Sequence, residues 1–366
     1  MNAQPNTAEA YARGLSHLIR LYQQNKFQSF ISSTADMLTP VESPETLFPG
    51  LTKFPHEIFT QLMITDLIFK HKPELEISSN LLIELENIQA DGGIINFFKD
   101  DSLLPSDIDC TAIGLAILLE TGKGNLNVIH QVVDRILDTV NEAGIIQVYF
   151  PPFGHRGYTD PIVCINALYL IALLGREKEA KKTEDYIFEH LRTQAYLEGS
   201  RYYPSPDIFL YFLSRLVNRF PHFRAKFGDQ IKRALKTRLG STKLPLDLAA
   251  RVITAKAVGI WNEFEERELI LSKNGHGGWP ANAFFRFGTR VGFFGCSALT
   301  TAFALKALET PALSEQFSLS YDYSNLFELP EAVFIREAIN SKSNDANGRG
   351  LTTKTAGAYL SGFKEN

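Results

Sequence analysis

The sequence predicts an all-α fold, a single α/α toroid of six inner and about six outer helices. Three observations predict it: helical periodicity nearly throughout, an alternation of amphipathic with apolar helices, and a helix start that repeats along the chain. A helix with one polar face lies at a surface, whereas one apolar on nearly all sides must be buried between others. The amphipathic set covers Glu76 to Gln89, Asn125 to Glu142, Glu177 to Ala195, His222 to Leu239 and Glu263 to Leu271. The apolar set covers Ile58 to Lys70, Ile108 to Glu120, Pro161 to Leu174, Ile208 to Val217, Leu248 to Gly259 and Ala298 to Leu308.

The apolar segments begin alike: FPHEIF at Glu57, PSDIDC at Asp107, YTDPIV at Asp160, SPDIFL at Asp207 and PLDLAA at Asp247, with GCSALT near Ser297 as a sixth. These starts recur at intervals of roughly 40–53 residues, a length that holds one outer and one inner helix. Six such units can close into a ring, and an open solenoid is the alternative that periodicity leaves standing. One domain over residues 1–366 follows. In a ring, every outer-to-inner connection lies at the same end. Those connections hold Gly92, Gly93, Phe97 and Phe98, then Tyr149 to Tyr158, then Tyr202 and Tyr203, then Gly277 to Phe294.

Composition narrows the function. With 27 Phe and 13 Tyr against 2 Trp, the chain carries more aromatics than helix packing needs, and they gather in the connections. A net charge of −4 without a basic block argues against nucleic acid as a partner. The three cysteines, Cys110, Cys164 and Cys296, lack metal-ligand spacing and read as free thiols. There is no cationic start followed by an apolar run, and the longest apolar stretches are too short for a bilayer. A cytoplasmic protein is expected, with peripheral membrane contact at an apolar rim left open.

The repeated acids supply a control. Asp107, Asp160, Asp207 and Asp247 read as helix caps, meeting the positive end of the helix dipole. Two residues further on stand Ile162, Phe209 and Ala249, but in the second unit that place holds Asp109. One reading is an acid facing the ring interior, kept protonated by desolvation. The other is a capping box, with Asp109 reaching back to a helix start at Ser106.

The segment SDIDCTA, residues 106–112, resembles the signature of the class II terpene cyclases. Squalene–hopene and class II diterpene cyclases carry Asp-x-Asp-Asp-Thr-Ala, and oxidosqualene cyclases carry Asp-Cys-Thr-Ala. Asp107, Asp109, Cys110, Thr111 and Ala112 fit a hybrid of the two. The departure is Cys110 in place of the last Asp. QADGGI at 89–94 and NGHGGWP at 274–280 resemble loosely the Gln/Trp motifs that brace such toroids. The size and the hybrid motif look like the monodomain members that cyclise meroterpenoids.

The resemblance implies that Asp109 protonates the terminal alkene of a geranylgeranylated aromatic acid, a geranylgeranylated dihydroxybenzoic acid, and directs its polycyclisation to a fused-ring meroterpenoid. It implies that Cys110 flanks the acid and that Cys164 supplies a second thiol, with Asp107 orienting the proton. Tyr158, Tyr202, Tyr203, Phe209, Trp261, Trp279, Phe284, Phe285 and Phe294 are the candidate aromatics that shape the chain and face moving positive charge. Arg156, His276, Arg286 and Arg290 are candidate partners for an anionic head group. Asn166, His155 or a water stand open as the terminating base. No DDxxD cluster is present, so ionisation of a diphosphate is disfavoured as the first step. No cofactor and no obligate protein partner are expected, with magnesium left open.

Two other classes remain. A zinc enzyme like the β-subunit of a protein prenyltransferase would draw on Asp107 or Asp109 with Cys110 and His276. A non-catalytic helical-repeat binding module would leave Asp109 a cap. An inverting glycosidase on the same ring would need a polar, Trp-rich groove that two Trp do not supply.

Overall fold

The inner helices start where the acids stand, but not all of the acids cap them. The computed structural model describes residues 6–32, 38, 55–98, 104–151, 157–286 and 292–309. Asp107 caps α4 (Ile108–Glu120) by accepting the amide of Cys110 at 2.7 Å. Asp160 caps α6 (Pro161–Leu173) through the amides of Ile162 and Val163. Asp207 and Asp247 correct the expectation. Proline favours the first helical position, so Pro206 and Pro245 begin α8 (Pro206–Arg219) and α10 (Pro245–Ala257) upstream of the acids. Ser205 caps α8 instead, and Asp247 accepts the Ser205 hydroxyl at 2.5 Å. Asp207 therefore lies two residues beyond its cap, as Asp109 does beyond Asp107.

The remaining inner helices are α2 (Phe59–Leu67) and α12 (Ser297–Leu308). Every residue of α2 is buried, as is α4 from Ile108 to Leu118 and α6 from Pro161 to Ala172. Such helices cannot face water on any side. Each packs on the next in chain order, from α2 and α4 through α6, α8 and α10 to α12, and α12 packs back on α2. The ring is closed.

The outer layer is α1 (Thr7–Asn25), α3 (Glu76–Ala90), α5 (Leu126–Leu137), α7 (Lys181–Arg192), α9 (Pro221–Arg238) and α11 (Glu263–Leu271). In α5 the buried residues are Ile129, Val132, Val133 and Ile136, one stripe of an amphipathic helix. The six outer helices pack on the inner ring, α1 on α12 and α5 between α4 and α6, for example. The α/α toroid is the observed fold. All the described residues belong to one compact unit, Met1–Ser318. The expected domain extends to residue 366, and its part beyond residue 309 lies outside the described residues.

The outer-to-inner connections gather at one end and bond to one another. The amide of Ile58 donates to Phe97 and that of Ile108 to Val148, both at 2.9 Å. Arg286 donates its amide to the Tyr202 carbonyl at 2.7 Å. A three-stranded antiparallel sheet adds β1 (Phe30–Ser32) to β3 (Phe293–Gly295), with β2 (Phe285–Arg286) on the far side of β3. The two glycine turns act as braces. Gln89 accepts the amide of Asn125 at 2.8 Å, and the Trp279 indole donates to the Leu269 carbonyl at 2.7 Å.

Candidate active site

Asp109 enters the ring interior from the first turn of α4. Its carboxyl is not spent on the helix start, since Asp107 holds the cap and Asp109 turns to the neighbouring repeats. Asn166, in the second turn of α6, donates its amide Nδ2 to Oδ1 at 2.7 Å. Tyr203, in the connection before α8, donates its hydroxyl to Oδ2. The capping-box alternative is therefore not the observed arrangement.

Burial is the largest influence on this acid and pushes it up to about 7, against the two hydrogen bonds, which stabilise the carboxylate. The negative charges of Asp107 and Asp160 raise it further. Asp107 is itself raised to about 6 by burial. It acts on Asp109 through charge: its Oδ1 is occupied by the cap, and its buried Oδ2 makes no hydrogen bond to the acid.

Tyr203 is held by its own turn. Its amide donates to Ser200 Oγ at 3.1 Å, and its carbonyl accepts the Ser200 amide at 2.7 Å. Asp160 takes the amide of Tyr202, and Arg286 donates from Nε and Nη2 to the carbonyls of Arg201 and Ser200. Gly199 makes the turn possible. Its φ is +70°, and a Cβ there would stand 2.7 Å from the Pro204 carbonyl oxygen.

Tyr203 also joins the acid to a shell of aromatic rings. Phe59, Phe212 and Phe284 lie 6.2, 5.8 and 5.7 Å from its ring. Phe59 continues to Phe97 and Phe285, Phe285 stacks on Phe294 at 4.7 Å, and Phe284 reaches Phe303. These rings come from separate inner helices and connections. Four expected aromatics, Tyr203, Phe284, Phe285 and Phe294, are thus brought together. Phe59, Phe97, Phe212 and Phe303 complete the shell and were missed, although Phe59 and Phe212 stand in the apolar segments as plainly as ordinary core.

Other candidates go elsewhere. Phe209 stacks on Tyr196 and meets His190, so it faces the outer layer from α8. Trp279 is wholly buried against α11 and α12 as a brace. Trp261 follows the C-terminal end of α10, opposite the connections that carry the site, and is 52% exposed. The α10 helix before it runs away from the acid's end of the ring, which the sequence position alone does not convey. Cys164 donates its thiol to the Ile146 carbonyl at 3.4 Å. Burial raises both Cys110 and Cys164 well above the usual thiol range. The places expected for flanking thiols are taken by Asn166 and Tyr203.

The rim is built from Tyr149, Tyr158, Arg201 and Tyr202. The Arg201 guanidinium lies 3.8 Å from the Tyr158 ring centre and donates from Nε to the Tyr202 hydroxyl, which also meets that of Tyr149 at 3.1 Å. Arg286, expected to meet a head group, is committed to backbone carbonyls. His276 is exposed in the α11–α12 connection, beside His17 of α1. Arg156 and Arg290 lie outside the described residues. The zinc reading loses its geometry: Asp107 caps α4 through the Cys110 amide, Asp109 is held by Asn166 and Tyr203, and His276 is exposed beside His17 of the outer layer. No group of three or more metal-ligating side chains occurs among the described residues. No described helix is long and apolar enough to cross a membrane.

Behind the acid lies a buried ionic cluster. Arg215 of α8 donates to Asn166 Oδ1 at 3.2 Å and pairs with Asp66 of α2 at 3.0 Å. Asp66 pairs with Lys70 at 2.8 Å, and Lys70 reaches Glu120 at 2.5 Å. Burial pushes the Asp66 carboxyl up, but Arg215 and Lys70 outweigh it and hold it at about 2. Periodicity hid this cluster, because its members are scattered as one or two polar residues in otherwise apolar segments.

Comparison with known proteins agrees with this geometry. Residues 51–173 match the sesquiterpene cyclase astC-like C-terminal domain. Drimenol cyclase drtB of Aspergillus calidoustus is 29% identical over 226 residues, which cover 60% of this chain and 40% of that enzyme. The chain thus spans less than half the length of that relative. Among solved structures, type II terpene cyclase MstE from Scytonema superposes with a TM-score of 0.58 at 13% identity, covering 82% of this chain and 97% of that one. An MstE variant in complex with geranylgeranyl dihydroxybenzoate gives 0.59 at 12% identity, covering 82% and 96%. ent-Copalyl diphosphate synthase from Streptomyces platensis gives 0.51 at 16% identity, covering 68% and 49%. By sequence over residues 51–173, and by fold over four-fifths of its length, the chain resembles the terpene cyclases of class II, as its motif at Asp107–Ala112 does.

Proposed function

We propose that this protein is a class II terpene cyclase in which Asp109 starts the reaction by protonating an alkene. One observation carries the reading: a carboxyl with a value near 7 is held by Asn166 and Tyr203 beside a shell of phenylalanines. About half of such an acid is protonated at pH 7, and more of it below that. Once the proton leaves, two hydrogen bonds and the start of α4 stabilise the carboxylate, so the group is strong in use.

The step balances simply. The Asp109 O–H bond breaks, its proton forms a C–H bond at the terminal alkene, and the neighbouring carbon becomes cationic. Successive alkenes attack it, and loss of a proton from the last cation returns an isomer of the substrate. The aromatic faces of Phe59, Phe212, Phe284 and Phe285 attract positive charge without acting as nucleophiles. Packed rings also exclude the water that would quench it.

For the substrate we propose a polyprenyl chain whose anionic head stays at the rim, met by Arg201 and the tyrosines around it. The MstE complex favours a geranylgeranylated aromatic acid, whereas the matched domain and drimenol cyclase favour a shorter, sesquiterpene chain. Purified protein would be given geranylgeranyl dihydroxybenzoate and, separately, farnesyl diphosphate, and products analysed by mass spectrometry and NMR. A cyclic product of equal mass from the wild type and none from a folded Asp109→Asn variant is expected. Equal turnover by both proteins would remove Asp109 from its role.

A further inference from the structure

We infer that Arg215 is a positioning residue that fixes the Asn166 amide as a hydrogen-bond donor to Asp109 and thereby sets the strength of that acid. This deepens the cyclase reading, and its spectroscopic arm stands apart from it. Arginine has only donors. Because Arg215 Nη1 donates to Asn166 Oδ1, that oxygen is fixed toward Arg215 and the amide cannot turn over. Nδ2 must then face Asp109, and it does, at 2.7 Å from Oδ1. With the Asn166 N–H on Oδ1 and the Tyr203 hydroxyl on Oδ2, both oxygens of Asp109 are met by donors, which favours the carboxylate and strengthens the acid beside the aromatic shell.

Arg215 is itself held by charge and by ring contacts, its Nη2 making the ion pair without a hydrogen bond. Asp66 pairs with it at 3.0 Å from across the ring, and its guanidinium lies 4.7 Å from the Tyr169 ring centre and 5.8 Å from that of Phe212. The pair stays charged, since Arg215 and Lys70 together keep Asp66 ionised. A pair at this depth is costly to build, and the cap, the shell and the ring closure do not require it. What it does is orient one amide. Freed from Arg215, Asn166 could present Oδ1 to the acid and accept its proton, which stabilises the neutral acid and weakens it as a donor.

The test is Arg215→Gln, alongside Arg215→Lys, which keeps a cationic donor, and the double variant Asp66→Asn/Arg215→Gln, which leaves no unpaired buried charge. In ligand-free protein, the Asp109 carboxyl would be titrated by infrared difference spectroscopy against Asp109→Asn. We expect its value to rise by about one unit in Arg215→Gln and in the double variant, with Arg215→Lys close to wild type. With substrate, kcat should fall about tenfold or more while KM changes little, and the alkaline limb of the pH profile should move upward with the acid. An unmoved Asp109 titration in the folded double variant would overturn the assignment, whatever the substrate proves to be. A moved titration without turnover would keep the assignment and reject the cyclase reading instead.

Discussion

Arg251 and Asp207 meet at 2.7 Å with neither side chain exposed to solvent. The guanidinium also reaches Glu265 at 2.8 Å and the Thr242 carbonyl, tying α10 to α8, α11 and the α9–α10 connection. Removing Arg251 takes the cation from buried Glu265 and leaves Asp207 with Arg238 alone, which bonds both its oxygens at 2.9 Å. Arg251→Ala is therefore expected to cost about 3–5 kcal/mol of stability, measured by denaturant unfolding. Arg251→Ala combined with Asp207→Asn should cost less than the sum of the single changes, because both remove the same bond between them.

Asp109 makes the protein pay stability at high pH. Its unfolded value lies at about 4 and its folded value at about 7, raised chiefly by burial. Between these values the native state binds more protons than the unfolded chain, so stability falls as pH rises through that window and is flat above it. Asp109→Asn removes this slope. The variant should gain about 2–4 kcal/mol on wild type at pH 8, and the gain should vanish at pH 4. Parallel stability curves across that range would show that the acid is not perturbed.

The same value predicts the rate profile. An acid that must be protonated loses activity above its own value, so kcat should fall about tenfold per pH unit beyond about pH 7. Tyr203→Phe keeps the ring in the shell but removes a hydrogen bond that favours the carboxylate. The alkaline limb should then move to higher pH while the plateau falls. Steady-state kinetics across pH 5–10 reads both changes, and a plateau that fell with an unmoved limb would assign Tyr203 to shape alone.

Gly199 offers a test remote from the carboxyl. Alanine there meets both a left-handed backbone, which costs about 1–2 kcal/mol, and carbonyl oxygens of Pro204 and Tyr203 at 2.7 and 2.9 Å from the new Cβ. The turn must open, and Tyr203 moves with it. Gly199→Ala should lower the melting temperature and lower kcat together, whereas Gly240→Ala, with nothing within 4 Å of its Cβ, should affect stability alone.

Much of this was legible in the chain because periodicity reports burial. The repeated starts, four of them bearing Asp, revealed six inner helices, and Asp109 stood out as an acid at a place where Ile162 and Ala249 are apolar. Closure was not legible, since it depends on α12 meeting α2, a contact between distant repeats that leaves no local mark. Pro206 shifted the register of α8 by two residues, which set Phe209 toward the outer layer and Asp207 onto Arg251. Trp261 was misplaced because an aromatic residue carries no sign of the end of the ring it occupies. Asn166 and Arg215 were hidden for another reason. A single polar residue on an apolar helix finds its partner only when the neighbouring helix is in place.

The contact of α12 with α2 has a consequence for how the protein comes apart. In a linear helical array the last unit has one neighbour, so it frays first and losses travel inward. Here every inner helix has two inner neighbours, and no unit is last. Opening the ring anywhere uncovers two fully apolar helix faces at once, which makes partial unfolding as unfavourable at the join as elsewhere. The described ring should therefore unfold in one cooperative step, and its amides should exchange with solvent at rates that do not grade from first repeat to sixth.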